Sequence, residues 1–314
     1  MTRALRDSYP LAVDTDTDQL AAYQHDAPAS EVSRLVDLLR GRSITVLSGA
    51  GLSTESGIPD YRGPTGSLRA RRPIQYREFT GSAEARRRYW ARNTIGWPQM
   101  KHVTPNPGHH AVARLQTAGA VASVITQNVD GLHQAAGATD VIELHGSLAQ
   151  VICLDCGRTE HRDALQDRLL AANPSWLSLT AEIAPDGDAE LPRELTHSFS
   201  VPACRHCGGV LKPDLVFFGE NVPRPRVEAA AAAVDDAELL WVIGSSLTVW
   251  SGFRFVKRAA EAGTPVVITN MGETRGDPLA TLRIDAPLGR LLPRVAEELA
   301  SEYNQQVHKS RSRW

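Results

Sequence analysis

Residues 44–47 form a short run, Ile-Thr-Val-Leu, that breaks without a linker into Ser48-Gly49-Ala50-Gly51. A run of this kind is a buried strand, and the glycines end it in a tight turn where backbone amides can approach a phosphate with no Cβ in the way. Thr54 stands where the hydride-transfer fingerprint places its third glycine, and no strand-end acid follows at about 20 residues to grip an adenine ribose. Gly57-Ile58-Pro59-Asp60 then fixes an irregular loop rather than a helix, ending in the polar trio Asp60, Tyr61 and Arg62. The stretch reads as a dinucleotide site used for something other than hydride transfer.

The same grammar recurs along the chain. Apolar runs predict strands at Thr45–Leu47, Val121–Thr126, Val141–Leu144, Leu215–Phe217, Leu239–Ile243, Val266–Thr269 and Leu282–Ile284. Apolar spacing bordered by Gly or Pro predicts helices at Glu31–Arg40, Pro107–Ala118, Pro225–Ala233, Gly252–Ala262 and Gly289–Ser301. Strands separated by helices imply an α/β fold with a doubly wound parallel sheet, Rossmann-like. Two stretches break the rhythm. Residues 60–105, rich in Arg and aromatics, are expected to form the cofactor loop and a flexible helical cap. Residues 151–211 hold every cysteine and are expected to be a zinc-binding module inserted between the sheet segments 31–150 and 212–302. Residues 1–30 and the polar tail 303–314 are expected to be loosely ordered.

The two pairs, Cys153-x-x-Cys156 and Cys204-x-x-Cys207, use all four cysteines. A two-residue gap suits a metal knuckle better than a disulfide, and tetrahedral zinc needs two knuckles face to face. Gly157 and Gly208 follow the pairs and supply the turn that aims amides back at sulfur. The residues between the pairs exceed a zinc-ribbon spacing, so an insertion loops out. Redox chemistry is the rival, but two matched pairs favour zinc. No neighbouring titratable residue opens a coordination position for water, so the zinc is read as structural.

With 314 residues, 42% hydrophobic and 22% charged, the chain has the composition of an ordinary globular enzyme with room for one large and one small domain. A net charge of −2 argues against general nucleic-acid affinity. No apolar run approaches a membrane span. Arg3 and Arg6 give way to Asp7, Asp14, Asp16 and Asp18 with no apolar signal core, which predicts a cytoplasmic protein.

Ligands of doubly wound sheets bind at the carboxyl ends of the strands. Gln127-Asn128-Val129-Asp130, His145-Gly146, Gly244-Ser245-Ser246 and Asn270-Met271-Gly272 each leave a predicted strand there. A lone histidine is more often structural. His145 leaves the same edge as the other clusters, and its imidazole titrates near neutrality, which makes it a candidate general base.

Taken in order, these motifs resemble the sirtuin family: Gly49-Ala-Gly-x-Ser-x-x-Ser-Gly-Ile-Pro-Asp-Tyr-Arg62, Thr126-Gln-Asn-Val-Asp-Gly-Leu-His133, Glu143-Leu-His-Gly146, the cysteine pairs, Phe217-Phe-Gly-Glu220 and Gly244-Ser-Ser-Leu247. The resemblance covers about residues 31–300. Arg71-Arg-Pro-Ile74, Arg88-Tyr-Trp-Ala-Arg-Asn93, Gly96-Trp-Pro98 and Ala184-Pro-Asp-Gly-Asp188 are most similar to the class II branch typified by the mitochondrial sirtuin four. It implies NAD-dependent removal of acyl groups from protein lysines, with acylated peptides as partners, NAD as co-substrate and one structural zinc on Cys153, Cys156, Cys204 and Cys207. His145 becomes the base toward a ribose hydroxyl. Asn128 and Asp130 hold the nicotinamide ribose and carboxamide, and Arg62 orients the loop. The cofactor-binding set it implies is Gly49, Ala50, Gly51, Ser53, Ile58, Asp60, Tyr61, Arg62, Gln127, Asn128, Asp130, Gly244, Ser245, Ser246, Asn270, Met271, Gly272 and Leu288.

Two extended segments, Val216 to Glu220 and Ser246 to Trp250, read as a clamp for a substrate strand, with Val216, Phe217, Gly219, Glu220 and Val249 as its contacts. Ser251 stands where the family usually has proline, and Tyr61 replaces a more frequent phenylalanine. Tyr89-Trp-Ala-Arg92 has the Tyr-x-x-Arg spacing that desuccinylating sirtuins use to grip an acyl carboxylate. The plainer alternative is that Arg92 pairs with a surface acid and Tyr89 packs the cap. The runs Arg69–Arg72 and Arg86–Arg88 read as a solvated face, and Trp176 as core. Protein mono-ADP-ribosyl transfer at the same NAD site is the alternative activity, against which the intact Glu-Leu-His-Gly counts. A dehydrogenase is disfavoured by the missing glycine, and a zinc-ribbon binding protein leaves the strand-end polar clusters unexplained.

Overall fold

The computed structural model describes residues 26–60, 73–178 and 196–311. Tyr61, Arg62, Arg69–Arg72, Ala184–Asp188 and the first 25 residues lie outside the described residues.

Six strands, β1 (Ile44–Ser48), β2 (Val121–Thr126), β3 (Val141–Glu143), β7 (Leu239–Ile243), β8 (Val266–Thr269) and β9 (Leu282–Ile284), form one all-parallel sheet in the order β3-β2-β1-β7-β8-β9. Parallel strands need covered faces, and alternating residues of β1 serve both: Ile44 and Val46 join one core cluster, Leu47 the other. The first face is closed by α1 (Ala29–Leu39), α4 (Pro107–Thr117) and α9 (Leu288–Arg311). The opposite face is closed by α7 (Arg224–Asp235) and α8 (Trp250–Glu261). Strand order reverses between β1 and β7, so the crevice at the carboxyl edge opens where the sequence clusters its polar residues.

A second sheet, β5-β4-β6, is antiparallel and is built from β4 (Gly146–Cys153), β5 (Thr159–His161) and β6 (Leu211–Leu215), with α6 (Arg162–Ala172) behind it. The run at Leu215–Phe217 is therefore not a strand of the parallel sheet. Its first residue ends β6, which pairs with β4, and Val216–Phe217 continue as loop. Residues 146–150 and 212–215 likewise belong to the small sheet rather than to the nucleotide-binding body. The last helix continues to Arg311, through most of the tail expected to be loose.

Segment 73–105 packs more firmly than a flexible cap. It contains α2 (Tyr76–Gly81) and α3 (Ala83–His102), and Phe79, Trp90, Ile95 and Trp97 share one core with Leu148, Val151, Leu165 and Leu211 of the small sheet and α6. Trp90 Nε1 donates to Leu211 O at 3.1 Å and Trp97 Nε1 to Asp163 Oδ1 at 2.8 Å. Buried Arg162 lies over both indoles at 5.4 Å and donates to Asn93 Oδ1 at 2.9 Å. Trp176 joins this core against Phe199, as expected.

The chain crosses from one sheet to the other twice, at His145–Gly146 and at Leu215–Val216, and Val216 N donates to His145 O at 2.8 Å between the crossings. Gly146 has φ +87°, and a Cβ there would fall well inside van der Waals contact distance of Asp214 O. Gly146→Ala is expected to lower stability by about 2–4 kcal/mol, from left-handed strain plus an unrelievable backbone contact. Urea unfolding would check this.

Candidate active site at the carboxyl edge of the sheet

The loops leaving β1 and β7 interlock through glycines. Gly49 N donates to Ile243 O at 3.0 Å and Gly51 N to Gly244 O at 2.8 Å. A Cβ on Gly49 would lie 2.8 Å from Ser245 Cβ, and one on Gly244 would lie 2.5 Å from Leu52 N. These amides serve the interlock itself, rather than being held open as the glycine turn alone suggested. Residues Ala50–Leu52 and Thr54–Ser56 make two short 3-10 turns, and Gly57 at φ +87° ends them in the irregular loop expected there.

Ser53 is the hub beneath this loop. Its Oγ donates to Asp130 Oδ2 at 2.7 Å and accepts from Asn128 Nδ2 at 3.0 Å. Asn128 Nδ2 also donates to Gly49 O at 3.0 Å. Asp130 Oδ1 accepts from Leu132 N at 2.9 Å, and burial pushes its carboxyl above the usual carboxylate range. Gln127 Nε2 reaches Ser245 Oγ at 2.7 Å, tying the β2 loop to the β7 loop. Asn270 Nδ2 donates to Met271 O at 2.8 Å and Gly272 O at 3.1 Å.

His145 is held at both ring nitrogens. Nδ1 lies 2.9 Å from the Gln127 carbonyl oxygen and Nε2 lies 2.7 Å from Ser251 Oγ. A carbonyl only accepts, so Nδ1 carries the proton and Nε2 offers its lone pair. Burial lowers the pKa of the ring and the Arg226 charge adds to this, while the Gln127 carbonyl works in the other direction.

Ser53, Gln127, Asn128, Asp130, His145 and Ser251 line one cavity of about 900 Å³. Of the positions expected to bind cofactor, Gly49 to Gly51, Ser53, Ile58, Asp60, Gln127, Asn128, Asp130, Gly244 to Ser246 and Asn270 to Gly272 are on its wall. Leu288 is not. It is buried beneath Gly244 as a packing residue at the start of α9. On the opposite wall stand Val216, Phe217, Gly219, Glu220 and Val249. Phe217 N donates to Glu220 Oε2 at 2.9 Å, and the same carboxylate pairs at 3.0 Å with buried Lys212, whose Nζ lies 4.6 Å over the Phe217 ring. Tyr89 reaches the wall inside an aromatic cluster with Phe79, Trp90 and Phe217. Arg92 does not line the cavity, so the two do not converge on it.

Sequence reasoning noted Ser251 only as a departure from the usual proline and did not foresee its contact with His145, nor a buried pair behind the site. His109 and His133 stack edge-on at 5.3 Å, with Nε2 atoms 3.4 Å from Ser53 Oγ and 2.8 Å from Ser48 Oγ respectively. The hint for His109 was Asn106-Pro107, a helix-start signal that seats α4 against the first glycine loop: Asn106 caps Gly108 N at 2.9 Å and its Nδ2 donates to Leu52 O at 2.7 Å.

In the small sheet, the sulfur ligand atoms of Cys153, Cys156, Cys204 and Cys207 lie within 4.8 Å of one another. Cys153 and Cys207 Sγ are 3.5 Å apart, and Cys156 and Cys204 Sγ 3.9 Å. A tetrahedron with Zn–S near 2.3 Å has edges of about 3.8 Å, so the set fits zinc. Gly157 at φ +70° and Gly208 at φ +75° close matching knuckles, each donating N–H to the carbonyl of the first cysteine at 2.9 Å.

The Sir2 family model matches residues 49–251. The chain is 54% identical over 270 residues to the NAD-dependent protein deacetylase 1 of Streptomyces coelicolor, covering 86% of this chain and 90% of that protein. The chain belongs to the Sir2 family. It is 47% identical to the mitochondrial NAD-dependent protein lipoamidase sirtuin-4 of Bos taurus, over 84% of each chain. Among solved structures it resembles a Sir2 complex with a p53 peptide and NAD+, with TM-score 0.69, 32% identity and coverage of 85% of this chain and 98% of that one. The expected class II likeness is supported by these relatives. No helix among the described residues is long and apolar enough to cross a membrane.

Two outcomes follow for this sirtuin. Zinc analysis is expected to find about one equivalent per chain, and Cys153→Ser to lose it together with the proteolytic resistance of the β4–β5–β6 sheet. Burial lowers the pKa of His109 to about 3 and of His133 to about 4. Both rings are thus neutral in the folded chain, while their unfolded counterparts protonate near 6.5. Stability is then complete above pH 6.5 and falls toward pH 4, by about 1.4 kcal/mol per pH unit for each histidine. Urea unfolding across that range would read the slope, which His133→Gln should halve.

Proposed function

We propose that this sirtuin is an NAD-dependent protein-lysine deacylase that releases lysine, nicotinamide and O-acyl-ADP-ribose. The observation that carries the reading is His145, held at Nδ1 by a backbone carbonyl with Nε2 facing a cavity rimmed by the strand-end polar loops. The deacetylase and lipoamidase names of its relatives favour this over ADP-ribosyl transfer to protein.

NAD supplies a ribose carbon activated by its nicotinamide leaving group. The residues present fit such a ligand. Ser245, Ser246 and the wall residues Gly49 to Gly51 and Ser53 give its pyrophosphate a mostly neutral polar surface. Asn270 has its amide hydrogens engaged by two carbonyls, which leaves Oδ1 for a ribose hydroxyl. Asn128 likewise presents Oδ1, because its nitrogen is tied to Gly49 and Ser53. Asp130 is half-buried beside them for the carboxamide end, and Tyr61 and Arg62 are assigned to the cofactor from sequence. Nε2 of His145 removes a hydroxyl proton and returns it after the acyl group has moved. Val216 to Glu220 and Ser246 to Trp250 flank the cavity as the two sides of a groove for an extended acyl-lysine peptide, as solved Sir2 complexes with peptides encourage. The cysteine cluster holds a zinc whose four sulfur ligands leave no position for water, so it cross-links the small sheet.

Mass-spectrometric turnover of acetyl-, fatty-acyl- and acidic acyl-lysine peptides tests the reading. Lysine and O-acyl-ADP-ribose are expected only with NAD, and His145→Ala is expected to lose at least about 100-fold in kcat while calorimetry finds NAD binding retained. Undiminished turnover in that variant would remove His145 from its role, and ADP-ribose on protein without peptide deacylation would replace the reaction.

A further inference from the structure

We infer that Ser251 is a positioning residue for His145, fixing the ring's reactive nitrogen and stabilising the imidazolium formed during proton transfer. The inference rests on the deacylase reading for its catalytic consequence, but the contact itself does not.

Three elements build the contact. β3 ends two residues before His145, the loop after β2 supplies the Gln127 carbonyl at 2.9 Å, and the first turn of α8 supplies Ser251 Oγ at 2.7 Å. The helix start is pressed onto the same loop, because a Cβ on Gly252 would collide with the Gln127 side chain. One residue, Gln127, therefore sets both the ring and the helix that carries the hydroxyl.

A hydroxyl differs from other partners in that it serves both protonation states. It donates to the neutral Nε2, then turns to accept from Nε2–H once the ring is charged. The second bond is charge-assisted and is roughly twice as strong. On balance Ser251 raises the basicity of a ring that burial depresses. Ser251 itself keeps its proton throughout. The proton passes from substrate hydroxyl to Nε2, with Ser251 giving up its donor bond as the substrate hydroxyl arrives. The charged groups around the ring are Arg226 of α7, its partner Asp214 at 2.6 Å on β6, and Glu143 of β3, which interacts with both. Asp130 after β2 and Arg254, one turn beyond Ser251 on α8, are on the same cavity wall.

The experiment is a pH titration of the His145 imidazole by nitrogen NMR on the zinc-loaded full chain, run beside kcat/KM against pH. Wild type is expected to show the Nδ1–H tautomer. S251A is expected to lower the His145 titration, and the acid limb of kcat/KM with it, by about half to one pH unit. It should also cut kcat about tenfold with the NAD KM unchanged. S251T, which keeps the hydroxyl, should recover most of both. Unchanged titration in S251A with the other histidine signals in place, or an Nε2–H tautomer in wild type, would overturn the inference. So would an unchanged pH profile and kcat in active S251A. An absence of turnover in wild type would instead overturn the deacylase reading, while the NMR titration still decides whether Ser251 sets the ring.

Discussion

The close passage of Gly146 beside the Asp214 carbonyl is the constraint on which the site depends. Only a residue without a Cβ, in the left-handed region, lets the chain leave β3 and enter β4 alongside the returning β6. The crossing places His145 one residue before that bend, where its carbonyl is held by Val216 N and its ring turns to the carboxyl edge of the parallel sheet. Because β6 ends at the same crossing, the segment that begins at Val216 leaves it next to His145. The proposed base and the proposed substrate groove are thus positioned by one backbone contact.

The opposite wall follows from a second set of close approaches. Gly49, Gly51 and Gly244 bring the β1 and β7 loops so near each other that amides of the first donate to carbonyls of the second. The polarity left facing the cavity is then mostly neutral hydroxyl and carboxamide, with Asp130 secured by Ser53 and Leu132. Behind it the uncharged His109 and His133 fill space with polar edges. A charged group there would cost far more in that dry environment than a neutral ring does.

Much of this was legible in the residues because the signals were local. A short apolar run ending in glycine states its own turn, cysteine pairs followed by glycine state a knuckle, and strand-end polar clusters state an edge. What escaped depends on tertiary partners. β4 is only intermittently buried, so its apolar pattern does not declare a strand, and β6 carries Lys212 and Pro213 inside it. The Lys212 charge is tolerated because Glu220 and the Phe217 ring meet it, which no window of sequence displays. The run Arg86–Arg88 reads as a solvated face of a flexible cap, yet the α3 helix that carries it buries Trp90 and Trp97 against an arginine from another element. Leu288 sits in the right place along the chain for a cofactor contact but is pulled under Gly244. Residues Tyr61 and Arg62, with the Ala184–Asp188 insertion, are read from sequence alone.

The shared core between α3 and the small sheet changes what the cysteine cluster can influence. Trp90 is bonded to Leu211 of β6, and Tyr89, its neighbour in the chain, packs on Phe217 at the cavity wall. Lys212 is the next residue along β6 and lies over that same Phe217 ring. A metal that holds β4 and the segment before β6 together therefore acts on the clamp through contiguous packing, with no ligand position of its own in the chemistry. Loss of the cluster should loosen Phe217 before it disturbs the interlocked glycines, because those belong to the parallel sheet, whose main cores do not include the cysteines. The physical division of labour is then between a sheet edge that presents the polar groups and a small sheet that holds the segment from Val216 to Glu220 beside it.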